Sequence, residues 1–495
     1  MSSFILSVDQ STSATKAVLF NEQAGVVDRM SREHAQIYPR PGWVEHDSEE
    51  IMANTLAVIG DMVRLHGDLN IKALAITNQR ETVVVWDRTT GKPVYNAIVW
   101  QCNRGADYCG QLRSEGWEER IREKTGLIID PYFSATGIRW ILENVPGARE
   151  KAVKGELLFG TTDSWLIWNL TGGSVHATDY SNASRTMLFN INTLEWDKEL
   201  MDHMGIPGDM APRVLCSDEL FGETTAGGAF SDPVPVTGVM GDSHAALFGQ
   251  LCFSPGMAKA TYGTGSSIMM NIGDSPLKSG QGLVTSVGYG IGKRVFYVFE
   301  GNIHCTGATI KWLKDNLELI GSASETDAIA SSVETTEGVY LVPAFGGLGA
   351  PYWNHQARAV LCGMTFRTKK AHVVRAALEA IAYQVRDLVD LMKEQSALHD
   401  IELRVDGGPV KNNFLMQFQA DMLGGVINRS NVEEASASGV MMAAGLYLKW
   451  WQSPNELEEL RRGELIKCSM PATRSDGLYA GWKSAVSRTL FESES

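Results

Sequence analysis

Two segments half a chain apart are written in one grammar. The first is the apolar run Phe4 to Val8, which ends on Asp9, passes through the small polar stretch Gln10–Lys16 and resumes at Ala17 to Phe20. The second is Met257 to Tyr262, followed by Gly263-Thr264-Gly265-Ser266-Ser267 and by Ile268–Met270. Each predicts a β-hairpin closed by a loop of hydroxyl and glycine residues. A repeat at this spacing calls for two related domains meeting near residue 250. The 495 residues suffice for two such domains, and the predicted division is 1–248 and 249–495.

The stretches between the hairpins read as alternating strands and helices. Strands are predicted at Ala73–Thr77, Thr82–Trp86, Pro93–Val99, Leu158–Gly160 and Pro235–Met240. Helices are predicted at Ser164–Leu170, Ser243–Leu251, His372–Met392, Phe414–Leu423 and Ser436–Leu448. The last of these is rich in small residues and should pack closely against a neighbour. Asp242 falls at a strand-to-helix junction. The tail from Glu492 is expected to fray.

Composition removes several function classes. Lys and Arg number 44 against 58 Asp and Glu, a net charge of −14, so a basic nucleic-acid face is excluded and no polybasic membrane anchor is visible. No apolar run is long enough to span a bilayer, and the N-terminus lacks the pattern of a signal peptide. Seven dispersed cysteines without a C-x-x-C pair suit a reducing cytoplasm better than a disulfide framework.

Familiar nucleotide and metal motifs are missing. There is no G-x-x-x-x-G-K-[ST], no G-x-G-x-x-G after a strand, and no H-E-x-x-H or Cys/His cluster. Instead, three small-residue loops follow strands, at Gln10–Lys16, Gly263–Ser267 and Gly407–Asn412. Such loops offer N–H groups and hydroxyls to phosphate oxygens, though a loop of this kind taken alone is more often just a turn. Two acids, Asp9 and Asp242, end strands beside them. Phosphoryl transfer needs one carboxylate to take the proton of an attacking hydroxyl and another to help hold Mg²⁺. A turn acid at Asp9 and a helix cap at Asp242 are the structural alternatives.

Longer runs carry a resemblance. Gln36–Asp47 (QIYPRPGWVEHD), Ile76–Trp86 (ITNQRETVVVW), Asn96–Gln101 (NAIVWQ), Lys124–Phe133 (KTGLIIDPYF), Thr178–Ile191 (TDYSNASRTMLFNI), Val342–Trp353 (VPAFGGLGAPYW) and Arg404–Phe418 (RVDGGPVKNNFLMQF) are similar to segments of the FGGY carbohydrate kinases, and within them of the glycerol kinases. The similarity extends from Ile5 to about Trp482. It implies an α/β fold of two ribonuclease-H-like domains of the actin/hexokinase/Hsp70 type, with ATP and Mg²⁺ in a central cleft. It implies ATP-dependent phosphorylation of a primary hydroxyl of a small polyol, with a larger polyol or sugar (a tetritol, pentitol or ketopentose) as the alternative. A cytoplasmic homo-oligomer, dimer or tetramer, belongs to the same expectation.

The resemblance also implies site residues. Thr12, Ser13 and Lys16 match the first phosphate loop, Thr264 the second, Gly307 and Lys311 the segment beside the nucleotide, and Gly408 and Asn412 the adenosine loop. Asp9 would serve Mg²⁺ together with the ATP phosphates. Arg80, Glu81, Trp100, Tyr132 and Asp242 match the polyol set, with Asp242 as the base. Without the resemblance, Arg80 and Glu81 read as a surface ion pair and the two aromatic residues as core. Several positions depart from the family pattern. Ser243 and His244 follow the base where glycerol kinases carry two Gln, Ser267 stands at the place of an aromatic wall, and Gly137 replaces a signature Lys. Losing a long amide and a ring should open the pocket beside the polyol and make it more polar.

Overall fold

The computed structural model describes residues 2–490 apart from 68, 281, 355, 433 and 461–462, so the tail from Glu492 lies outside the described residues. The first half builds a six-stranded sheet from β1 (Ser3–Gln10), β2 (Ala14–Asn21), β3 (Val26–Glu33), β4 (Asn70–Asn78), β5 (Glu223–Thr224) and β6 (Val234–Gly241), in the order β5–β6–β4–β1–β2–β3. β1 and β2 pair antiparallel around the first small-residue loop, with Asp9 opposite Lys16. β1 and β4, and then β4 and β6, pair parallel. Parallel strands need crossovers that cover the sheet faces, which is why β1, β4 and β6 are near-continuous apolar runs rather than alternating ones.

The second half repeats this plan. Its sheet contains β7 (Met257–Tyr262), β8 (Ser266–Gly273), β9 (Val284–Ile291), β10 (Arg294–Ile303), β11 (Glu402–Gly407), β12 (Val426–Ser430) and β13 (Gly463–Lys467), in the order β9–β10–β8–β7–β11–β12–β13. The hairpin β7–β8 is antiparallel, β8 pairs antiparallel with β10, and β7, β11 and β12 are mutually parallel. Both halves thus hold three neighbouring antiparallel strands with two parallel strands on the first strand's free edge. This is the two-domain α/β arrangement of the actin/hexokinase type that the resemblance implied.

Helices cover these sheets. α1 (Ser48–His66) starts at Asp47, whose carboxylate accepts from the N–H groups of Glu49 and Glu50 and so satisfies two orphan donors. α2 is Thr162–Leu170, α3 is Asp242–Gly249, α4 is Gly307–Asp315, α5 is the long Lys370–Ser396, α6 is Asn413–Leu423 and α7 is Ala435–Tyr447. α7 comes from the second half but lies on the first sheet: Ser7 Oγ donates to Ala437 O at 3.1 Å. Its small residues let it cross α3 backbone to backbone, and a β-carbon at Gly439 would collide with the carbonyl of Ala245. The segment Pro93–Val99 forms less strand than expected. Only Ala97–Ile98 joins the side sheet with Glu45–His46 and Val83–Asp87, while Pro93 makes an isolated antiparallel bridge to Trp86.

Candidate active site

The two hairpin loops face each other across a cleft. A cavity of about 740 Å³ opens between them, and the lining includes Thr12, Arg80, Glu81, Trp100, Tyr132, Asp242, Ser243, Thr264 and Ser267. Nine residues from widely separated segments are thereby brought to one place. Arg80 and Glu81 are not a surface pair. Arg80 Nη1 and Nη2 clamp the two oxygens of Glu300 at 3.0 and 2.8 Å, and its Nε approaches Asp242 Oδ1 at 3.2 Å. Glu81 instead pairs with Arg185 Nε at 2.5 Å, and Arg185 Nη1 reaches Glu300 at 2.8 Å. The motifs gave no reason to single out Arg185 or Glu300. Glu300 follows the apolar run Val295–Phe299 but lies inside β10, which continues to Ile303.

This cluster is almost dry. Burial alone would raise the Glu300 carboxyl, but Arg185 and Arg80 hold it well below the usual carboxylate range. For Glu81, burial wins over Arg185 and Arg80 and the carboxyl is raised. Glu81 also sits at φ 61°, a left-handed conformation a Glu rarely adopts, and the buried pair with Arg185 holds it there. Tyr132 lies edge-on to Trp100 with ring centroids 5.6 Å apart, forming one wall, and burial raises its phenol. Trp100 is more than wall, since its Nε1–H donates to Thr12 Oγ1 at 3.0 Å.

Asp242 is the first residue of α3, directly after β6, and Gly241 occupies the cap position. Its carboxylate accepts from the N–H of Ser243 at 2.5 Å and its side chain is 37% exposed toward the cavity. Ser267 Oγ is approached by the buried ammonium of Lys259 at 3.4 Å. The departures resolve differently. Ser243 and Ser267 do line the cavity, joined there by Asn302 and His304. His244 points away, with Nε2 3.3 Å from Ser286 Oγ, and burial keeps it neutral. Gly137 faces Val83 and Ile98 in the core, where a β-carbon would already stand 3.1 Å from Val83 Cγ1, so a long cationic side chain has no room there.

Thr264 belongs also to a second hollow of about 680 Å³ with Gly307, Lys311 and Gly408. That hollow continues into a third of about 690 Å³, which shares Gly307, Lys311 and Gly408 and adds Asn412. The expected nucleotide residues of the second half therefore line a continuous groove ending at the polyol-type cavity. Asn412 holds the groove's shape: it caps α6 through Leu415 N at 2.8 Å and donates to Thr326 Oγ1 at 3.0 Å. Lys311 is exposed and ion-paired with Asp315 one turn along α4.

Ser13 and Lys16 of the first loop stand outside the lining of the cavity and the groove. Ser13 is exposed at the loop tip and lines neither cavity nor groove. Lys16 Nζ is held by Glu434 at 3.0 Å, beside Asp9 rather than among the loop donors. Asp9 is buried at the end of β1 and pushed up to about 7, chiefly by burial, with Lys16 lowering it and Asp242 and Glu434 raising it further. Asp9 thus feels Lys16 on one side and the carboxylates of Asp242 and Glu434 on the other. Among the described residues no His/Cys/Asp/Glu group could hold a metal by itself, which fits Mg²⁺, an ion bound by one or two carboxylates plus phosphate oxygens and water.

Behind the first loop, His46 is wholly buried and pushed down to about 3, chiefly by burial and then by His34. The unfolded chain takes up this proton near pH 6.5 and the folded chain does not, so stability from a neutral His46 is complete above that pH and is lost as pH falls, by up to about 1.4 kcal/mol per unit. Replacing His46 by Gln removes the titration. Urea-denaturation free energies of wild type and His46→Gln are expected to converge between pH 7 and pH 5. A gap independent of pH would show that folding leaves the His46 proton affinity unchanged.

Two domains of one strand plan on either side of a cleft, with acids at strand ends beside paired phosphate-type loops, define a phosphotransferase of the sugar-kinase class. The chain belongs to the FGGY family of carbohydrate kinases: its N-terminal domain matches residues 4–249 and its C-terminal domain residues 258–448. The chain is 51% identical to "Glycerol kinase 2" of Thermotoga maritima over 490 residues, 98% of this chain and 99% of that one. It is likewise 51% identical to the glycerol kinase of Symbiobacterium thermophilum, over 98% of both chains. Among solved structures, Plasmodium falciparum glycerol kinase with ADP superposes at a TM-score of 0.96, with 37% identity and 99% of each chain covered. The gluconate kinase of Lactobacillus acidophilus, 19% identical with a TM-score of 0.88 over 99% and 98% of the two chains, shares the fold.

Proposed function

We propose that this kinase transfers the γ-phosphoryl group of ATP to a primary hydroxyl of glycerol, giving glycerol 3-phosphate and ADP. The observation that carries this reading is the single cavity in which Asp242, Arg80, Glu81, Trp100 and Tyr132 meet the two loops at Thr12 and Thr264, with the groove of Gly307, Lys311, Gly408 and Asn412 leading into it. Arg80 and Glu81 offer a donor fork and an acceptor to neighbouring hydroxyls, Tyr132 adds a hydroxyl, and Trp100 covers the carbon chain. Asp242 takes the proton of the attacking hydroxyl while that oxygen bonds to the γ-phosphorus and the bond to the ADP oxygen breaks. Thr12 and Thr264 donate to phosphate oxygens. Asp9 would hold Mg²⁺, which when bound neutralises phosphate charge. Polyol binding closes the domains and excludes water from the γ-phosphate. A cytoplasmic homo-oligomer is part of the reading; it rests on family likeness and on the dispersed cysteines.

A second reading, the same chemistry on a tetritol, pentitol or ketopentose, is favoured by one feature. Ser243, Ser267, Asn302 and His304 give the cavity a polar end beyond the glycerol residues. A coupled ADP-release assay over glycerol, erythritol, xylitol and ribulose separates the two. ATP-dependent turnover of glycerol is expected, with no ADP release in the absence of a polyol. Ser243→Gln combined with Ser267→Phe restores an amide and a ring worth roughly 1–3 kcal/mol of contact, so it should raise the glycerol/erythritol ratio of kcat/KM by about 5- to 150-fold. Wild-type preference for a longer polyol would establish the second reading. ADP release without any polyol would overturn both.

A further inference from the structure

Behind the first loop lies a chain of buried amides and imidazole that the chemistry above does not use. Gln36 Nε2 donates to the carbonyl of Thr12 at 2.8 Å, so Gln36 Oε1 must be the acceptor in its 2.9 Å contact with His46 Nε2. His46 therefore carries its proton on Nε2, and its bare Nδ1 accepts from Gln79 Nε2 at 3.2 Å. The same Gln79 nitrogen donates to Gln10 Oε1 at 3.1 Å, and Gln10 Nε2 donates to the carbonyl of Ser11 at 2.8 Å. Gln79 Oε1 accepts the hydroxyl of Thr82 at 3.1 Å, and Thr82 Oγ1 accepts the N–H of Trp100 at 3.3 Å. Trp100 Nε1–H closes the circuit on Thr12 Oγ1 at 3.0 Å. Every donor in this circuit has one consistent direction.

Its consequence falls on the loop. The carbonyls of Ser11, Thr12 and Ser13 are all engaged, the last by the N–H of His34 at 3.3 Å. Among the described residues no acceptor takes the N–H of Thr12, and the Thr12 hydroxyl, already accepting from Trp100, has its own proton to give. We infer that Gln79, His46 and Gln36 are positioning residues: they turn the loop carbonyls inward so that the Thr12 N–H and hydroxyl face the cleft as donors, and through Thr82 and Trp100 they tie the polyol wall to the same loop. Preorganised donors of this kind matter most where phosphoryl charge shifts in the transition state. The inference rests on the reading of Ser11–Ser13 as a phosphate loop.

The experiment uses the full chain and replaces donors without changing shape. Gln36→Glu and Gln79→Glu each put a carboxylate oxygen where an N–H pointed at the loop or its supports. Steady-state kinetics with MgATP and the best polyol of the panel should show kcat at least tenfold lower, with KM for both substrates within threefold of wild type. Thermal melts and ADP calorimetry establish the folded fraction. Should the fully buried Gln79→Glu fail to fold, the half-buried Gln36→Glu carries the test. Folded variants with kcat within twofold of wild type would overturn the inference. So would a loss confined to KM for the polyol, which would make the circuit part of the pocket wall only. Turnover by wild type on any polyol tests the kinase reading; the ratio of variant to wild type tests the circuit.

Discussion

Asp242→Asn is expected to lower kcat by ~10²–10⁴-fold, the usual consequence of removing a general base, while ADP and ATP still bind. The variant is nearly isosteric. Its amide oxygen can still accept from the Ser243 N–H that now meets Asp242 at 2.5 Å, and α3 still begins after Gly241. Arg80 keeps its clamp on Glu300, so the polyol-binding fork stays in place. What disappears is the capacity to accept a proton at the carboxylate that is exposed to the cavity beside Arg80, Glu300 being fully buried under the same guanidinium. The loss should therefore appear in kcat and in kcat/KM alike, with KM for the polyol changed little. Asp242 is not among the residues lining the nucleotide groove, and calorimetric ATP affinity should stay within a few fold. Near-full turnover by the variant would remove Asp242 from the chemistry.

The residues that sequence made legible are those whose function shows in local pattern. Asp242 stands at a strand-to-helix junction, and the two hairpin loops announce themselves by small residues between apolar runs; the structure puts each at the cleft. Ala435–Tyr447 was also legible as a close-packing helix, but not its neighbour: it returns from the second half to lie on the first sheet, a choice set by tertiary packing. Lys16 pairs with Glu434, 418 residues away, a partner that the local pattern of the loop does not announce. Arg185 and Glu300 were missed for the same reason. Glu81 finds its partner 104 residues on, and Arg80 finds its own 220 residues on, a pairing with no footprint in local spacing. Glu300 lies inside β10, which runs on to Ile303, so no strand end marked it.

Glu300→Gln should be the most damaging single change to stability in the site, costing ~3–5 kcal/mol, the range for breaking a buried ion cluster from one side. Glu300 is fully buried and is the only carboxylate among the described residues that both Arg80 and Arg185 contact, at 2.8 to 3.0 Å. A neutral amide there still offers an acceptor, but also turns an N–H toward guanidinium groups that have only donors. Two buried cations would then share Glu81 and the more exposed Asp242. Glu81→Gln should cost less, because burial already raises that carboxyl and one guanidinium, not two, pairs with it directly. The pH dependence separates charge from packing. Since the two Arg hold Glu300 far below its ordinary 4.5, wild type keeps the advantage over Glu300→Gln in full above that pH. The advantage is lost only as pH falls from there through the depressed folded value. Urea denaturation from pH 8 to pH 4 should therefore show a constant gap between wild type and Glu300→Gln down to about pH 4.5. Because Arg80 also carries the polyol fork, KM for the polyol should rise along with the loss of stability, whereas Asp242→Asn separates the two. Equal denaturation midpoints for wild type and Glu300→Gln would mean that the guanidiniums find compensation elsewhere, and that the cluster holds the fork by shape rather than by charge.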